Sequence, residues 1–145
     1  MPDTAATRPP RPVYRNIHVS QIVAYRLPAA GIVSILHRIS GALMFVLLPF
    51  AIWLFDTSVT SEVSYDRFTS AFSAGLLGLP GVAVKLVVLA LLWAYLHHFI
   101  AGVRHLWMDA THSVTKEQGR SSAVVTLVLS LALTAALGAK LFGLY

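Results

Sequence analysis

Two groups of polar and glycine residues interrupt the apolar parts of this sequence, and the spacing within each group places its members on one face of a helix. The groups are Ser34, His37, Arg38 and Gly41, and His98, Gly102, His105 and Asp109. Polar and ionisable side chains inside apolar helices are costly unless they face protein, a cofactor or water. We therefore expect the two stripes to form two walls of one site.

The spacing of the second stripe suits a haem. His98 and His105 share a helix face and lie about 10 Å apart along its axis. An axial imidazole must reach the iron in the apolar middle of the membrane, whereas the propionates extend toward the interface and need cationic or hydrogen-bonding partners. His98 fits the first role, and His37, Arg38 and His105 fit the second. Gly102, one turn from His98, would let a flat macrocycle approach the backbone.

The chain offers one convincing axial ligand. His97 lies about 100° around the helix from the stripe and ranks below His98. His37 is a poor axial ligand, because its phase and depth place it at the propionate level. A six-coordinate b-type haem needs two axial ligands, so we expect the second from a partner chain.

Simpler interpretations exist for each of these residues. A membrane histidine can hydrogen-bond a neighbouring helix, and Ser34 can bond to the carbonyl one turn earlier. Arg38 could extend to the interface, although it lies about 15 Å along the axis from Pro28. Arg104 could be an interfacial anchor, and glycines are often helix-packing positions. The conjunction of two stripes favours a bound cofactor.

The elements that must position these residues are transmembrane helices. Of the 145 residues, 57% are hydrophobic and 12% are charged, well below the roughly 25% charged content of soluble domains. Each of three apolar stretches can cross a hydrocarbon core of about 30 Å. We predict an all-α integral membrane protein: a surface-lying N-terminal arm over 1–28, then a three-helix bundle over 29–145 with helices at 29–55, 82–107 and 121–143.

Helix-end signals and the charge pattern refine this prediction. Pro28 suits the first turn of the first helix, and Ser121 or Ser122 could cap the third. The positive-inside rule places the N-terminus and the second loop in the cytoplasm or matrix. The cations on which this rests are Arg8, Arg11, Arg15, Arg26, Lys116 and Arg120.

Composition also excludes several classes of function. Cysteine is absent, so the chain supplies no disulfide, thiolate metal ligand or cysteine-bound iron–sulfur cluster. The net charge of +5 lies at helix ends and in the arm, which argues against a nucleic-acid partner.

The residues carry a family resemblance. Arg11-Pro12 opens the arm, Ser34-Ile35-Leu36-His37-Arg38-Ile39-Ser40-Gly41 lies in the first helix, and His98-x-x-x-Gly102-Val103-Arg104-His105-Leu106-x-x-Asp109 lies in the second. Together these motifs resemble the cytochrome b membrane-anchor subunit of succinate dehydrogenase, over about residues 11 to 140. One departure is the Val-Tyr-Arg-Asn-Ile that follows Pro12, which weakens inference about arm contacts.

The resemblance implies a place in respiratory complex II. A flavoprotein subunit would oxidise succinate, and an iron–sulfur subunit would pass electrons to ubiquinone or menaquinone. His98 would ligate haem b opposite a ligand from a second anchor subunit, with His37, Arg38 and His105 near the propionates. Ser34 and Arg38 would line the quinone pocket. The chain itself would not oxidise succinate, and we expect it in a bacterial inner membrane with its N-terminus in the cytoplasm.

Three alternatives remain open on the sequence. The first is a haem-free quinone-binding anchor in which His98 only packs helices. The second is a metal or proton transport subunit that uses His97, His98 and His105, although the internal repeats typical of transporters are absent. The third is a purely structural membrane scaffold.

Overall fold

The computed structural model describes residues 18–113 and 115–145, with the side chain of residue 23 left aside. Expectations for residues 1–17, including Arg11-Pro12, lie outside this range. The described chain is all-α, and three of its helices, α2, α5 and α6, are long and apolar enough to cross a membrane, which confirms the predicted fold class. The helices are α1 (Val19–Ala24), α2 (Ala29–Val46), α3 (Leu48–Val59), α4 (Glu62–Ser73), α5 (Gly81–Thr111) and α6 (Lys116–Leu141).

The predicted first span, 29–55, is interrupted rather than continuous. Pro28 is the N-cap of α2, and α2 ends at Leu47, whose φ of −89° and ψ of 4° leave the α-helical region. Pro49 follows in the first turn of α3. Proline has no N–H to donate to the carbonyl four residues earlier, and its ring clashes there, so the helix breaks at this point.

The other two spans are longer at their shared end than 82–107 and 121–143. Helix α5 continues past Trp107 to Thr111 and ends where His112 takes a left-handed φ of 52°. Helix α6 starts at Lys116, because Thr115 caps it rather than either predicted serine. The Thr115 hydroxyl accepts from the Gln118 N–H, and the Gln118 side chain accepts from the Thr115 N–H. The second loop is correspondingly short.

The loop after the first span contains a real helix, α4. Ser61 caps it through a reciprocal pair of bonds with Ser64, and the helix packs against α3 and α5. A tight turn then leads to α5, with Gly75 at a φ of 108°, where an added Cβ would collide with the Leu79 carbonyl.

Helices α2, α5 and α6 pack against one another, and small side chains line their contacts. Val33, Ala101 and Ala123 are fully buried at the centre, whereas many large apolar side chains point outward. Small residues let helix backbones approach closely in lipid, where large apolar side chains gain nothing by turning inward. This close approach brings the two polar stripes together.

Candidate functional site

Three histidine rings from the two predicted stripes meet between α2 and α5. The rings of His37 and His98 stack with centroids 4.1 Å apart and an interplanar angle of 24°. The His105 ring lies 5.5 Å from that of His37 on its other side. His98 and His105 are two helical turns apart on α5, and the structure places the His37 ring between them. The two stripes therefore lie against each other.

The ring of His98 is held in one orientation by the backbone of α2. Its Nδ1 lies 3.0 Å from the carbonyl oxygen of His37 and 3.3 Å from the hydroxyl of Ser40. A carbonyl can only accept, so Nδ1 carries the proton in this pair. The neutral ring then has its lone pair on Nε2, which makes no hydrogen bond to the described chain. Metal-bound histidines are commonly oriented in this way, with the other ring nitrogen donating to a carbonyl.

Two glycines keep space around these rings. A Cβ added at Gly41 would lie 3.1 Å from Cε1 of His98, closer than an ordinary van der Waals contact. A Cβ added at Gly102 would meet only Nε2 of His37, at 4.0 Å. Gly41 therefore allows His98 its position, and Gly102 leaves open space beside the histidine cluster.

His37 carries an unsatisfied polar atom. Its Nε2 is buried and has no hydrogen-bond partner within the part of the chain that the structure describes. Nearly all buried polar groups in proteins have a partner, so such an atom is unusual. The Nε2 of His97 is in the same state, so the unpartnered nitrogen of His37 supports a ligand only together with the other features of the cluster.

The remaining predicted site residues, and His105 of the histidine cluster, are at least partly exposed. Arg38, His105 and Asp109 are exposed, and Ser34 is half-buried on the same side of α2 as His37. The side chains of Ser34 and Arg38 make no hydrogen bond to residues 18–113 or 115–145. They are accessible to a group supplied from outside the chain.

His97 occupies a different environment from its neighbour His98. It is 0% exposed, its Nδ1 lies 3.2 Å from the Ser130 hydroxyl on α6, and its ring stacks on Trp93 at 5.5 Å. It belongs to the helix contacts, away from the face that carries His98. The ranking of His97 below His98 as a ligand stays a prediction.

Arg104 has a role that sequence reasoning missed. It is only 8% exposed, and its guanidinium donates to the Ser122 hydroxyl at 3.0 Å and to the Gly119 carbonyl at 3.2 Å. It joins α5 to α6 inside the bundle instead of anchoring at the interface. The sequence signal for this role is that Arg104 lies within the second apolar stretch, one residue before His105.

These residues fit a haem that is shared with another chain. One imidazole presents a free Nε2, a second has a buried unpartnered nitrogen, and a glycine leaves space beside them. Across the described ranges no three histidine, cysteine, aspartate or glutamate side chains are grouped so that they could hold a metal ion by themselves.

The fold and the site together define an integral membrane protein with three membrane-length helices and a histidine cluster between two of them. Comparison of the sequence with known families is in agreement. Residues 7–137 match the family described as Succinate dehydrogenase/Fumarate reductase transmembrane subunit. The chain belongs to this family and is a multi-pass membrane-anchor subunit of the succinate dehydrogenase cytochrome b type, as its motifs predicted.

Individual relatives carry corresponding names. A succinate dehydrogenase cytochrome b556 subunit of Coxiella burnetii is 32% identical over 75% of this chain and 82% of its own length. The subunit of the same name from Paracoccus denitrificans is 29% identical over 75% and 78%. A succinate dehydrogenase cytochrome b560 subunit of Porphyra purpurea is 27% identical over 74% and 86%.

Proposed function

We propose that this chain binds haem b together with a second anchor subunit and forms part of the site where electrons from succinate reduce quinone. The observation that carries the proposal is the orientation of His98. Its Nδ1 donates to the His37 carbonyl at 3.0 Å, and its Nε2 makes no hydrogen bond to the described residues. Gly102, one turn along α5, leaves space beside the cluster. The b556 and b560 cytochrome names of the relatives support the same cofactor.

Each residue of the cluster has a defined task in this proposal. His98 would hold the haem iron through Nε2, and the second anchor subunit would supply another ligand. The buried Nε2 of His37, with His105 and Arg38 nearby, would bind the propionates by hydrogen bonds and charge. When bound, the haem would supply a one-electron redox centre in the membrane.

Ser34 and Arg38 would bind the quinone. Reduction to the quinol adds two electrons and two protons, and negative charge develops on the carbonyl oxygens as the electrons arrive. The Ser34 hydroxyl can donate a hydrogen bond to one oxygen, and the permanently charged guanidinium of Arg38 stabilises the developing charge. Neither group is a net proton source, so the protons would arrive through water from the cytoplasmic side.

The proposal assigns the chain a place in a larger assembly. A flavoprotein subunit would oxidise succinate, and an iron–sulfur subunit would deliver electrons to ubiquinone or menaquinone beside Ser34 and Arg38. The exposed apolar side chains of the helices would contact lipid and the second anchor subunit. By the positive-inside rule, the cations of the arm and of the α5–α6 connection favour an N-terminus in the cytoplasm. The location that we propose is a bacterial inner membrane.

The test is a dithionite-reduced minus oxidised absorbance spectrum of membranes that contain the assembly. We compare the natural chain with His98→Ala and with His97→Asn, whose amide keeps a hydrogen-bonding atom near Ser130. Loss of the b-type bands in His98→Ala alone, with assembled complex still present on native gels, would support the ligand assignment.

Two results would contradict the proposal. Bands that persist in His98→Ala would mean that the ligand lies elsewhere. Absence of b-type bands from an intact natural assembly that still reduces quinone would instead favour the haem-free quinone-binding anchor.

A further inference from the structure

A cavity of about 520 Å³ lies between α5 and α6, near the short connection that joins them. Trp107, in its wall, follows His98 by nine residues, which places it about 180° around α5 from the haem-ligand candidate. The cavity is therefore distinct from the histidine cluster. Its one charged wall residue is Arg104.

The positive charge of Arg104 has no counter-charge in the described chain. Its Nε and Nη2 donate to a hydroxyl and to a backbone carbonyl, both of which are neutral. Nη1 makes no hydrogen bond to the described residues and is not fully buried, and Arg104 is part of the cavity wall. A cation that is 8% exposed within a membrane helix is costly unless an anion faces it. The geometry calls for an anionic group beside Nη1.

The rest of the cavity is divided into a polar end and apolar walls. Ser113, Gln118 and Ser121 lie at the end nearest the helix connection. Val103 and Val125 line the deeper part, and each is about half exposed or more on the outer surface of the helix pair. The cavity therefore opens sideways toward hydrocarbon, and this arrangement matches a molecule with an anionic head and an acyl chain.

We propose that this cavity binds a net-anionic phospholipid. Its phosphate would accept hydrogen bonds from Nη1 of Arg104 and from the polar groups at the helix connection. One acyl chain would lie along Val103, Trp107 and Val125. A zwitterionic lipid fits less well, because its own ammonium group would offset the phosphate charge that Arg104 requires. This site does not depend on the proposed haem and quinone chemistry.

The experiment uses the complete assembly purified in detergent. It is incubated with phosphatidylglycerol that carries a photoactivatable group in one acyl chain, and cross-linked peptides are identified by mass spectrometry. We compare the natural chain with Arg104→Gln, which removes the charge, with Arg104→Lys, which keeps it, and with Val125→Phe, which fills the apolar part. Arg120→Gln is the matched control, since Arg120 is exposed and does not line the cavity.

We expect labelling of α5 and α6 at the cavity to fall about tenfold in Arg104→Gln and Val125→Phe, the ratio that corresponds to about 1.4 kcal/mol. Arg104→Lys and Arg120→Gln should retain most of it, and excess inorganic phosphate should not compete. Four outcomes would overturn the proposal: no label at the cavity, equal labelling by phosphatidylcholine, competition by phosphate alone, or undiminished labelling in Arg104→Gln. The haem spectrum of the same samples separates such a failure from failure of the haem assignment.

Discussion

Replacing Gly41 by alanine should disturb the proposed haem site by pressing on one side chain, the imidazole of His98. The added Cβ would lie 3.1 Å from Cε1 and 3.4 Å from Nδ1 of His98, so the ring must retreat by a few tenths of an ångström. The same change at Gly31 in α2 is the matched control. Its Cβ would meet Leu27 and Pro28 at no less than 3.6 Å, which is ordinary contact.

The size of the effect follows from the bond that holds His98. A retreat of a few tenths of an ångström is enough to stretch or bend the 3.0 Å bond from Nδ1 to the His37 carbonyl beyond good geometry. The net free energy of such a bond is about 0.5–1.5 kcal/mol, which corresponds to about a three- to tenfold loss of haem affinity. Alanine is also a better helix former than glycine, by up to about 1 kcal/mol. The helix itself should therefore remain intact.

The assay measures haem per assembled complex, from the pyridine haemochrome spectrum divided by the flavin content of the sample, during titration with a haem-binding competitor. Gly41→Ala should release haem at about three to ten times lower competitor concentration than Gly31→Ala, and its reduced absorbance band should shift. Equal retention and identical bands in the two variants would refute the idea that the orientation of His98 determines haem binding.

Two further predictions concern the neighbouring residues. Ser130→Ala removes the partner of the buried His97 Nδ1 and should lower the free energy of unfolding by about 1 kcal/mol. The measurement is the inactivation temperature, which should fall while the haem bands stay unchanged. Ser121→Ala, at an exposed position, is the control, and equal inactivation temperatures in the two variants would contradict the expectation. Ser34→Ala and Arg38→Lys should each lower succinate-dependent quinone reduction about tenfold while electron transfer to a soluble dye stays normal, because only the quinone contacts change. A parallel loss of dye reduction would mean that the assembly, not the quinone site, was damaged.

Periodicity predicted the three spans and the membership of each stripe because both are decided locally. Apolar runs of membrane length must be helical, and residues three, four and seven apart must share a face. His37 and His98 are far apart in sequence, yet their rings lie 4.1 Å from each other because their helices pack through small residues. The roles assigned to these residues remain predictions.

The features that sequence reasoning missed depend on contacts between elements or on competing local signals. Pro49 lies within an apolar run that looks continuous in the sequence. The structure shows that α2 ends two residues before it and that α3 begins there. Thr115 and Gln118 form a capping box that moves the start of α6 ahead of the two serines. Arg104 follows an interfacial pattern in the sequence, whereas the acceptors that bury it belong to α6.

The bond between Nδ1 of His98 and the backbone of α2 also bears on the order of assembly. The orientation of the ligand is set within this chain alone, since the donor and the acceptor both belong to it. The rotational freedom of the imidazole is therefore lost when the chain folds and not when a partner docks. If the chain binds a second anchor subunit as proposed, association would begin from a half-site that is already oriented, so fewer side chains would have to be immobilised in the later step.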